Sequence, residues 1–440
     1  MKRRYVSRVP LLLFTLLTMA LLPTGASAAP AAGDKPLDPA AESLSVKYAI
    51  SLSEAQARIA RQASQSSFAD SVAGKYEDTF AGAWIDQVNN GKLRLSFTRS
   101  GPESVAGDAE YSPDLQVSVT NAASFSFSLL RSAQTTISSL PSLWAATKTY
   151  VDPERNQLIV QALPDLPQET SAALQTVLSQ YPTTAIKTSF DLVSNEPGPT
   201  TTQCASNGSQ AGLYGCTQPL RGGIGARYST ICTVGVPVQS NSDSKPYMVT
   251  AAHCFESVPY GTPVQALNNV GQWGTFGVFH SGGIANSGTD WALVSISPGL
   301  SYSDITLVNS SVQPGKSTTY DESYALSSVG GSIVGAFYCK QGTVGGTACG
   351  DVVGVGIEAQ GASGLGQIWL SGQTSHLCQG DSGSAIFAAN HYYGVQVKGV
   401  LGTENGTHAM PLGYATSQCY EQFYYLSATS ALNALHVHLF

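Results

Sequence analysis

The positions of the cysteines constrain the fold of this chain more than any other feature of its sequence. All eight lie after residue 200 of the 440. An even number of cysteines in an exported chain predicts disulfides, whereas zinc ligation needs clustered Cys-x-x-Cys pairs, which this sequence lacks. Spacing alone leaves the pairing open. We therefore expect a cysteine-free first part and a disulfide-bonded second part, which contains Cys204, Cys216, Cys232, Cys254, Cys339, Cys349, Cys378 and Cys419.

The first residues indicate that the chain is exported. Met1-Lys2-Arg3-Arg4 is basic, an apolar stretch from Leu11 to Leu22 follows, and Ala26-Ser27-Ala28 is typical of a cleavage site. These features predict a signal peptide over residues 1–28 and a secreted, extracellular product. A membrane anchor is the weaker alternative, because the apolar stretch is too short to span a bilayer comfortably and no later stretch approaches a span. We expect a soluble monomer with no membrane partner.

The composition favours a β-rich fold and disfavours one class of partner. Only 12% of the residues are charged, while 44 glycines and 22 prolines supply many turns. That balance is typical of a secreted, turn-rich β protein, not of a helical bundle or a disordered chain. The formal net charge of −7 disfavours nucleic-acid binding, which needs a basic surface.

Residues 29–197 carry no cysteine and have the clearest helix signals, which predicts an α+β region. Ser51 and Glu54 form a capping box that predicts a helix over Leu52–Ala63. Apolar residues at helical spacing predict another helix over Leu174–Tyr181, ended by Pro182. Short apolar runs predict strands over residues 92–97 and 157–160.

Residues 198–440 differ in character from the region before them. A stretch rich in proline, glycine and threonine, near residues 194–202, predicts a linker. Beyond it, short β-branched runs alternate with Gly/Ser/Asn turns, which predicts an antiparallel barrel or sandwich. Helical spacing returns only at Ala428–Leu435. The clearest predicted strands are Thr233–Val236, Tyr247–Val249, Ala292–Ile296, Ser332–Val334 and Gly394–Val397.

Two segments of this second part carry groups that suit nucleophilic catalysis. Thr250-Ala251-Ala252-His253-Cys254 offers a histidine, and Cys378-Gln379-Gly380-Asp381-Ser382-Gly383 offers a serine among small residues. A serine hydroxyl is a weak nucleophile that needs a base to accept its proton. Glycine beside it lets backbone N–H groups approach the oxyanion that forms on a substrate carbonyl. Asp290, at the start of an apolar strand where an unpaired carboxylate would be costly, fits the acid that orients the histidine.

Hydrolysis is therefore the leading hypothesis, and three rival interpretations stay open. An α/β-hydrolase is disfavoured because its catalytic order is serine, acid, histidine, and because Ser384 replaces the second glycine of Gly-x-Ser-x-Gly. A catalytically inactive protease-fold module for binding or adhesion would usually lack one of the three catalytic residues. A metal-dependent hydrolase would rely on His436 and His438 near the end of the sequence, where no acidic cluster accompanies them.

On these motifs the chain resembles the chymotrypsin family of serine endopeptidases, in the secreted bacterial form that includes α-lytic protease and the streptogrisins. Cys232-Thr233-Val234-Gly235 resembles the start of that family's barrel, residues 339–350 resemble its disulfide-closed hairpin, and Thr79–Asp86 resembles part of its pro-segment. The resemblance implies a mainly β chain with a chymotrypsin-like double antiparallel β-barrel and a C-terminal helix. The two barrels would span approximately 221–325 and 326–440, preceded by an α+β pro-region at 29–197.

The resemblance also implies a role for each matching residue. Ser382 would be the nucleophile, His253 the general base and then acid, and Asp290 its orienting carboxylate. The backbone N–H groups of Gly380 and Ser382 would form the oxyanion hole. Asp381 would be buried behind the serine and paired with Lys340, where bacterial relatives have arginine. The implied disulfides are Cys232–Cys254, Cys339–Cys349 and Cys378–Cys419, with Cys204–Cys216 left over as a pair outside the family pattern.

Substrates and the N-terminal region follow from the same resemblance. Relatives that cleave after Arg or Lys have an aspartate at the position of His376, so the resemblance disfavours a trypsin-like preference. The preferred side chain stays open between uncharged and acidic ones, with an apolar or small residue favoured. The pro-region would act as intramolecular chaperone and inhibitor, since barrels rich in non-local contacts fold slowly. Polypeptides are the expected substrates, and no cofactor or metal is implied. The walls of the specificity pocket would come from Leu377, Gln379, Val397, Lys398 and Gly399.

Overall fold

The computed structural model of the protein describes most of the chain beyond the predicted signal peptide. The predicted signal peptide, the linker near 194–202, His376, Cys204 and Cys216 lie outside the described residues. Residues 36–440 belong to one compact unit. The described residues are 38–190, 220–227, 231–267, 273–283, 289–300, 302–308, 322–359, 362–371, 377–400, 403–409 and 416–440.

Residues 38–190, called here the N-terminal part, form an α+β structure. Its second helix begins where the capping box predicts, because Ser51 Oγ accepts a hydrogen bond from Glu54 N at 3.2 Å. The predicted end at Ala63 is wrong, since the buried apolar stripe continues through Phe68 and Val72. The elements are helices α1 (Pro39–Tyr48), α2 (Leu52–Lys75), α3 (Phe127–Ser138), α4 (Pro141–Ala146) and α5 (Gln168–Leu178), and strands β1 (Phe80–Asp86), β2 (Lys92–Thr98), β3 (Val117–Ala123), β4 (Thr147–Asp152), β5 (Gln157–Ala162) and β6 (Ile186–Ser189).

These strands form two small groups, each with one antiparallel and one parallel pairing. β1 and β2 are antiparallel, and β3 pairs with β2 in parallel. β4 and β5 are likewise antiparallel, with β6 parallel to β5. Helices α3 and α5 cover the second group, where Leu130, Ile137, Leu158 and Leu174 share one buried cluster. The helix predicted over Leu174–Tyr181 is thus present, but it begins six residues earlier, at Gln168, and ends three residues earlier, at Leu178.

The remainder, from residue 220 onwards, is built mainly of strands, as the turn-rich composition predicts. Its elements are β7 (Leu220–Gly222), β8 (Gly225–Arg227), β9 (Ile231–Thr233), β10 (Pro237–Ser240), β11 (Pro246–Thr250), β12 (Pro263–Leu267), β13 (Trp273–Gly282), β14 (Ala292–Ile296), β15 (Tyr302–Val308), β16 (Glu322–Ala325), β17 (Ser328–Val329), β18 (Phe337–Gly342), β19 (Gly346–Ala359), β20 (Ala362–Leu370), β21 (Leu377–Cys378), β22 (Ala385–Ala388), β23 (His391–Gly399), β24 (Glu404–Ala409), β25 (Thr416–Tyr420), β26 (Gln422–Ser427), helix α6 (Ala428–Leu435) and β27 (Val437–Leu439).

The first barrel is a curled sheet with the strand order β27-β10-β11-β14-β13-β12-β8-β9. Of the strand predicted over Thr233–Val236, only Thr233 lies in β9, and residues 234–236 connect β9 to β10. The residues between them still bond to both neighbours, since Val234 N donates to Ile224 O at 3.0 Å and Gly235 N donates to Val249 O at 2.7 Å. One bent segment therefore contributes to two sides of this barrel. Its interior is apolar and includes Val234, Met248, Val264, Phe276 and Val294.

The second barrel is closed by its own hydrogen bonds. Its strands follow the order β18-β22-β23-β26-β20-β19, and β19 pairs back to β18. The predicted helix over Ala428–Leu435 is confirmed as α6, after which β27 crosses to β10 of the first barrel. The predicted double antiparallel barrel is confirmed as well. Within the described ranges, no helix is both long enough and apolar enough to cross a membrane.

The N-terminal part extends the sheet of the second barrel. β4 pairs antiparallel with the far end of β19, where Thr149 lies opposite Glu358. On another side of this barrel, the fully buried Gln62 of α2 bonds to both backbone groups of Phe337, accepting from its N–H and donating to its oxygen at 3.3 Å. The contact is therefore made by backbone pairing as well as by side chains.

One predicted strand of the second barrel is wrong, and the N-terminal part explains why. Residues 332–334 include the β-branched Ile333 and Val334, but their backbone is irregular and does not form a strand. The oxygen of Val334 accepts a hydrogen bond from Ile85 N of β1 at 2.8 Å. Gly335 follows at φ +80°, and a Cβ there would lie only 2.0 Å from Ile85 O. A contact with a distant segment thus replaces the pairing that local sequence predicts.

Candidate active site

His253 and Asp290 are brought together by the pairing of two strands in the first barrel. His253 lies in a single 3-10 turn, Ala252–Phe255, directly after β11, and Asp290 lies just before β14. Because Thr250 of β11 is opposite Ala292 of β14, the two residues meet at the same end of the sheet. Asp290 Oδ2 is 2.8 Å from His253 Nδ1, and Asp290 Oδ1 accepts from His253 N, also at 2.8 Å. Both carboxylate oxygens therefore hold the histidine.

This contact determines the electrostatics of both groups. Asp290 is only 6% exposed, and burial alone would raise its pKa, but the charge and hydrogen bonds of His253 hold the pKa below its usual range. Burial alone would lower the pKa of His253, yet the Asp290 carboxylate raises it above the ordinary value for histidine. The positive charge of Lys398 opposes that rise. With Nδ1 directed at the carboxylate, Nε2 is the nitrogen left to accept a proton.

Ser382 lies in a tight turn of the second barrel, in which Gly380 and Gly383 adopt backbone conformations that favour glycine. Gly380 and Gly383 have φ values of +102° and +93°. A Cβ on Gly383 would lie 2.0 Å from Thr233 O and 3.1 Å from Ala251 N. Thr233 N in turn donates to Ser382 O at 2.7 Å. The serine turn of the second barrel therefore lies against Thr233 and Ala251 of the first barrel. Ala251 is two residues before His253, so the serine and histidine segments are neighbours in space.

The hydroxyl of Ser382 has a different partner from the one that sequence motifs suggest. It donates to Val397 O at 3.2 Å, and no hydrogen bond joins it to His253. Val397 belongs to β23, which passes beside the turn because Gly383 N bonds to Gln396 O at 2.8 Å. The sequence carries no signal for this acceptor, because it is a backbone oxygen supplied by a later strand.

The turn also presents backbone donors near the hydroxyl. Asp381 N donates to Cys378 O and Gly383 N to Gln396 O. The N–H groups of Gly380 and Ser382 have no acceptor within the described part of the chain, although Thr233 Oγ1 fixes Gly380 by donating to its oxygen at 2.9 Å. These two N–H groups, on either side of Asp381, are therefore available to bind an oxyanion. The supporting role of Thr233 was not predicted from the sequence.

Beneath the turn, Asp381 and Lys340 form the ion pair that the resemblance implies. Lys340 Nζ is 2.6 Å from Asp381 Oδ2, and both side chains have no exposed surface. Burial lowers the pKa of Lys340, while the carboxylate opposes that shift. Ser384, noted above as a departure from glycine, is buried and donates its hydroxyl to Asp381 O, so the turn accommodates it.

Three disulfides brace these elements. Cys232–Cys254 ties β9 to the turn of His253, Cys339–Cys349 links β18 to β19, and Cys378–Cys419 links β21 to β25 just before the serine turn. These are the three pairs that the resemblance implies. The fourth, Cys204–Cys216, lies outside the described residues.

The described residues of the predicted specificity pocket lie on the segments that flank the serine turn and on β23. Leu377 and Val397 are each 2% exposed, whereas Gln379, Lys398 and Gly399 are partly exposed. Gly399 lies against a ring, since a Cβ there would come within 2.3 Å of Tyr420 Cδ2. The predicted floor residue, His376, lies outside the described residues.

A metal site finds little support among the described residues. The one cluster with metal-ligand geometry is Cys232, His253 and Cys254, but the two sulfurs are bonded to each other. His438 contacts Asn241, with Nδ1 2.6 Å from its Oδ1. Neither it nor His436 belongs to a ligand cluster in the described ranges.

No protein-family model matches the chain, and no curated protein matches it. Solved structures do. Nocardiopsis protease is 18% identical over 50% of this chain and 97% of its own, with a TM-score of 0.34. Protease A of Thermobifida fusca is 15% identical with the same coverages and TM-score, and the chymotrypsin of Cellulomonas bogoriensis is 17% identical, again with these coverages, at 0.33. Such TM-scores add nothing to what the chain's own geometry shows. The architecture therefore rests on the chain's own strand pairing, which forms one curled and one closed antiparallel barrel.

Proposed function

We propose that this protein is a secreted serine endopeptidase that cleaves peptide bonds through an acyl-enzyme on Ser382. The observation that carries the proposal is the pairing of His253 with Asp290. The carboxylate binds both His253 N and Nδ1 at 2.8 Å, beside the turn that holds the serine. An imidazole fixed in this way has one orientation and one free nitrogen, as a general base requires.

Acylation would use four groups of the site in order. Rotation about the Ser382 Cα–Cβ bond would move its hydroxyl from Val397 O towards His253 Nε2. His253 would take the hydroxyl proton as the oxygen attacks the peptide carbonyl carbon, and the N–H groups of Gly380 and Ser382 would bind the resulting oxyanion. When the intermediate collapses, His253 would give that proton to the departing amine. Asp290 would remain ionised and stabilise the imidazolium.

Deacylation would repeat these steps with water as the nucleophile. His253 would take a proton from water as the oxygen attacks the acyl carbon, and would return it to Ser382 Oγ when the ester bond breaks. The product acid would be released, and the hydroxyl of Ser382 would be restored. His253 would carry each proton that is transferred in the two half-reactions.

The N-terminal part would be the folding template and inhibitor of the protease, removed after export. Two contacts support this role: the pairing of β4 with β19, and the bonds from Gln62 to Phe337. Both stabilise the second barrel, which supplies Ser382. A barrel assembled from non-local pairs has a large loop-closure cost, and a preformed edge strand lowers it.

A catalytically inactive binding module is the second candidate, favoured by the bond from Ser382 Oγ to Val397 O. A fluorophosphonate probe separates the two, because it labels only an activated serine. We expect labelling of the secreted protein, loss of labelling in Ser382→Ala and His253→Ala, and retention in Ser328→Ala. Ser328 is a matched control, since its Oγ is 2.7 Å from His391 Nδ1 but no carboxylate bonds to that histidine in the described part of the chain. An unlabelled secreted protein would establish the binding module instead.

Mass spectrometry of the same samples tests removal of the N-terminal part. Self-cleavage predicts that residues 29–197 stay attached in Ser382→Ala alone. Their loss from both proteins would assign the processing to another protease.

A further inference from the structure

Lys398 is a cation beside the proposed nucleophile that lacks a carboxylate partner. It follows Val397, whose oxygen accepts from Ser382 Oγ, and its side chain is half-buried. Nζ lies 6.0 Å from the ring centre of Tyr424, the residue opposite it on β26. No carboxylate in the described ranges forms an ion pair with it. A partly desolvated ammonium group without a paired carboxylate favours a ligand that supplies one.

The nearest anion cannot fill this role. Asp290 is close enough for its charge to act on Lys398, but its two oxygens already bind His253 N and Nδ1. Tyr424 offers only the face of its ring, a weak partner for a cation. A second cation, Lys148 of the N-terminal part, lies over the same ring with Nζ 5.4 Å from its centre. Because Lys148 would leave with the N-terminal part, Lys398 is the cation that would remain at this ring in the secreted enzyme.

The position of Lys398 also lies along the path open to a polypeptide. β22 pairs with β23 only as far as Ala385 opposite Val395, and the last bond on that side joins Gly383 N to Gln396 O. From Val397 to Gly399, that edge has no partner strand in the described part of the chain. An extended peptide can add to an open strand edge by backbone hydrogen bonds. With its carbonyl carbon at Ser382 Oγ, its neighbouring side chains would come within reach of Lys398.

We propose that Lys398 selects peptide substrates carrying an aspartate or glutamate close to the scissile bond, by pairing its ammonium group with that carboxylate. The proposal rests on the endopeptidase function above. It concerns the wall of the site formed by β23. The substrate would then be selected twice, by the side chain that enters the specificity pocket and by a carboxylate that pairs with Lys398.

The test compares peptides that differ only in having a side-chain carboxylate in place of a carboxamide. A quenched fluorescent peptide keeps an apolar residue directly before the cleaved bond and carries Gln at the four next nearest positions, and each Gln is replaced in turn by Glu. The secreted enzyme, produced from the full coding sequence, is assayed for kcat/KM on every pair. We expect Glu to be preferred about tenfold at one position, as for a hydrogen bond to a charged group. Any effect of Lys398 on His253 cancels in the Glu/Gln ratio, because both peptides meet the same enzyme.

Variants then assign the preference to this residue. Lys398→Met is expected to bring the Glu/Gln ratio to about one, Lys398→Arg to keep it, and Lys398→Glu to favour a Lys peptide over the Gln peptide. Lys245→Met is the matched control, because its exposed ammonium pairs with Asp243 away from the site, and should leave the ratio unchanged. Should a variant fail to fold, raising the salt concentration must still lower the wild-type ratio.

Two failures can be told apart. A wild-type ratio near one at every position, or a ratio that survives Lys398→Met, would overturn the role of Lys398 while cleavage of the Gln peptides upholds the protease. Absence of cleavage and of fluorophosphonate labelling would overturn the protease, and the role of Lys398 with it.

Discussion

Lys340 Nζ lies 2.6 Å from Asp381 Oδ2, with both side chains fully buried beneath the turn that carries Ser382. A lysine pairs with one oxygen where arginine could bind two. The backbone makes up the difference here. Asp381 Oδ1 accepts from Val344 N at 2.7 Å, and Oδ2 accepts from Cys378 N at 2.9 Å. Both oxygens of the Asp381 carboxylate thus have hydrogen-bond partners. These bonds fix the backbone of the turn, and with it the position of the next residue, Ser382.

Removing the charge of Lys340 should destabilise the fold strongly. Lys340→Met leaves Asp381 buried without its cation, and breaking a buried pair in this way costs about 3–5 kcal/mol. The free energy of unfolding in urea is the measurement, made with Ser382→Ala in both proteins to prevent self-digestion. Lys245→Met, which breaks an exposed pair, should differ little from the parent. Equal stability of the two lysine variants would contradict a structural role for the buried pair.

Gly383 should be irreplaceable for activity. In Gly383→Ala the new Cβ would meet Thr233 O at 2.0 Å, at a φ of +93° that disfavours alanine. The turn must shift and carry Ser382 with it, so kcat/KM should fall by about 100-fold or more. Gly274→Ala is the matched control, because nothing lies within 4 Å of its Cβ position and its φ lies outside the left-handed range. A similar kcat/KM in the two variants would show that the turn adapts without loss.

The pH dependence should report the environment of His253. The base must be neutral to act, so kcat/KM on a peptide without ionisable side chains should rise with pH through the pKa of His253. Because Asp290 raises that pKa, the midpoint should lie above the ordinary value of 6.5. Lys398 opposes the rise, so Lys398→Met should move the midpoint to higher pH, while Lys245→Met should not move it. A midpoint below 6.5 in the wild type would mean that burial, not Asp290, dominates.

The sequence signals for the proposed site are local. His253 and Ser382 lie in short motifs whose small residues and cysteines are adjacent in the chain, and Asp290 opens a clear apolar strand. The helix over Ala428–Leu435 was likewise predicted to the residue. Each of these inferences depends only on residues within a few positions of one another.

What the sequence did not predict depends on distant segments. The acceptor of the Ser382 hydroxyl is a backbone oxygen fifteen residues later, which no side-chain pattern reveals. The strand expected at Ser332–Val334 is replaced by a bond from Ile85 to Val334 across most of the chain. The open-edged stretch Val397–Gly399 follows from where β22 begins, and only the pairing register shows that.

Gln62 offers a test of the N-terminal part that leaves the protease sequence unchanged. Its fully buried amide bonds to both the N–H and the oxygen of Phe337, so Gln62→Ala would leave two backbone groups unpaired, at about 1–3 kcal/mol each. If the N-terminal part templates folding, the yield of active enzyme should fall several-fold. Activity per active site, counted by fluorophosphonate titration, should stay constant because the processed enzyme is identical. Gln175→Ala, which alters an exposed glutamine of α5, is the control. A yield equal to that of the control, or a lower activity per titrated site, would argue against a template role for this contact.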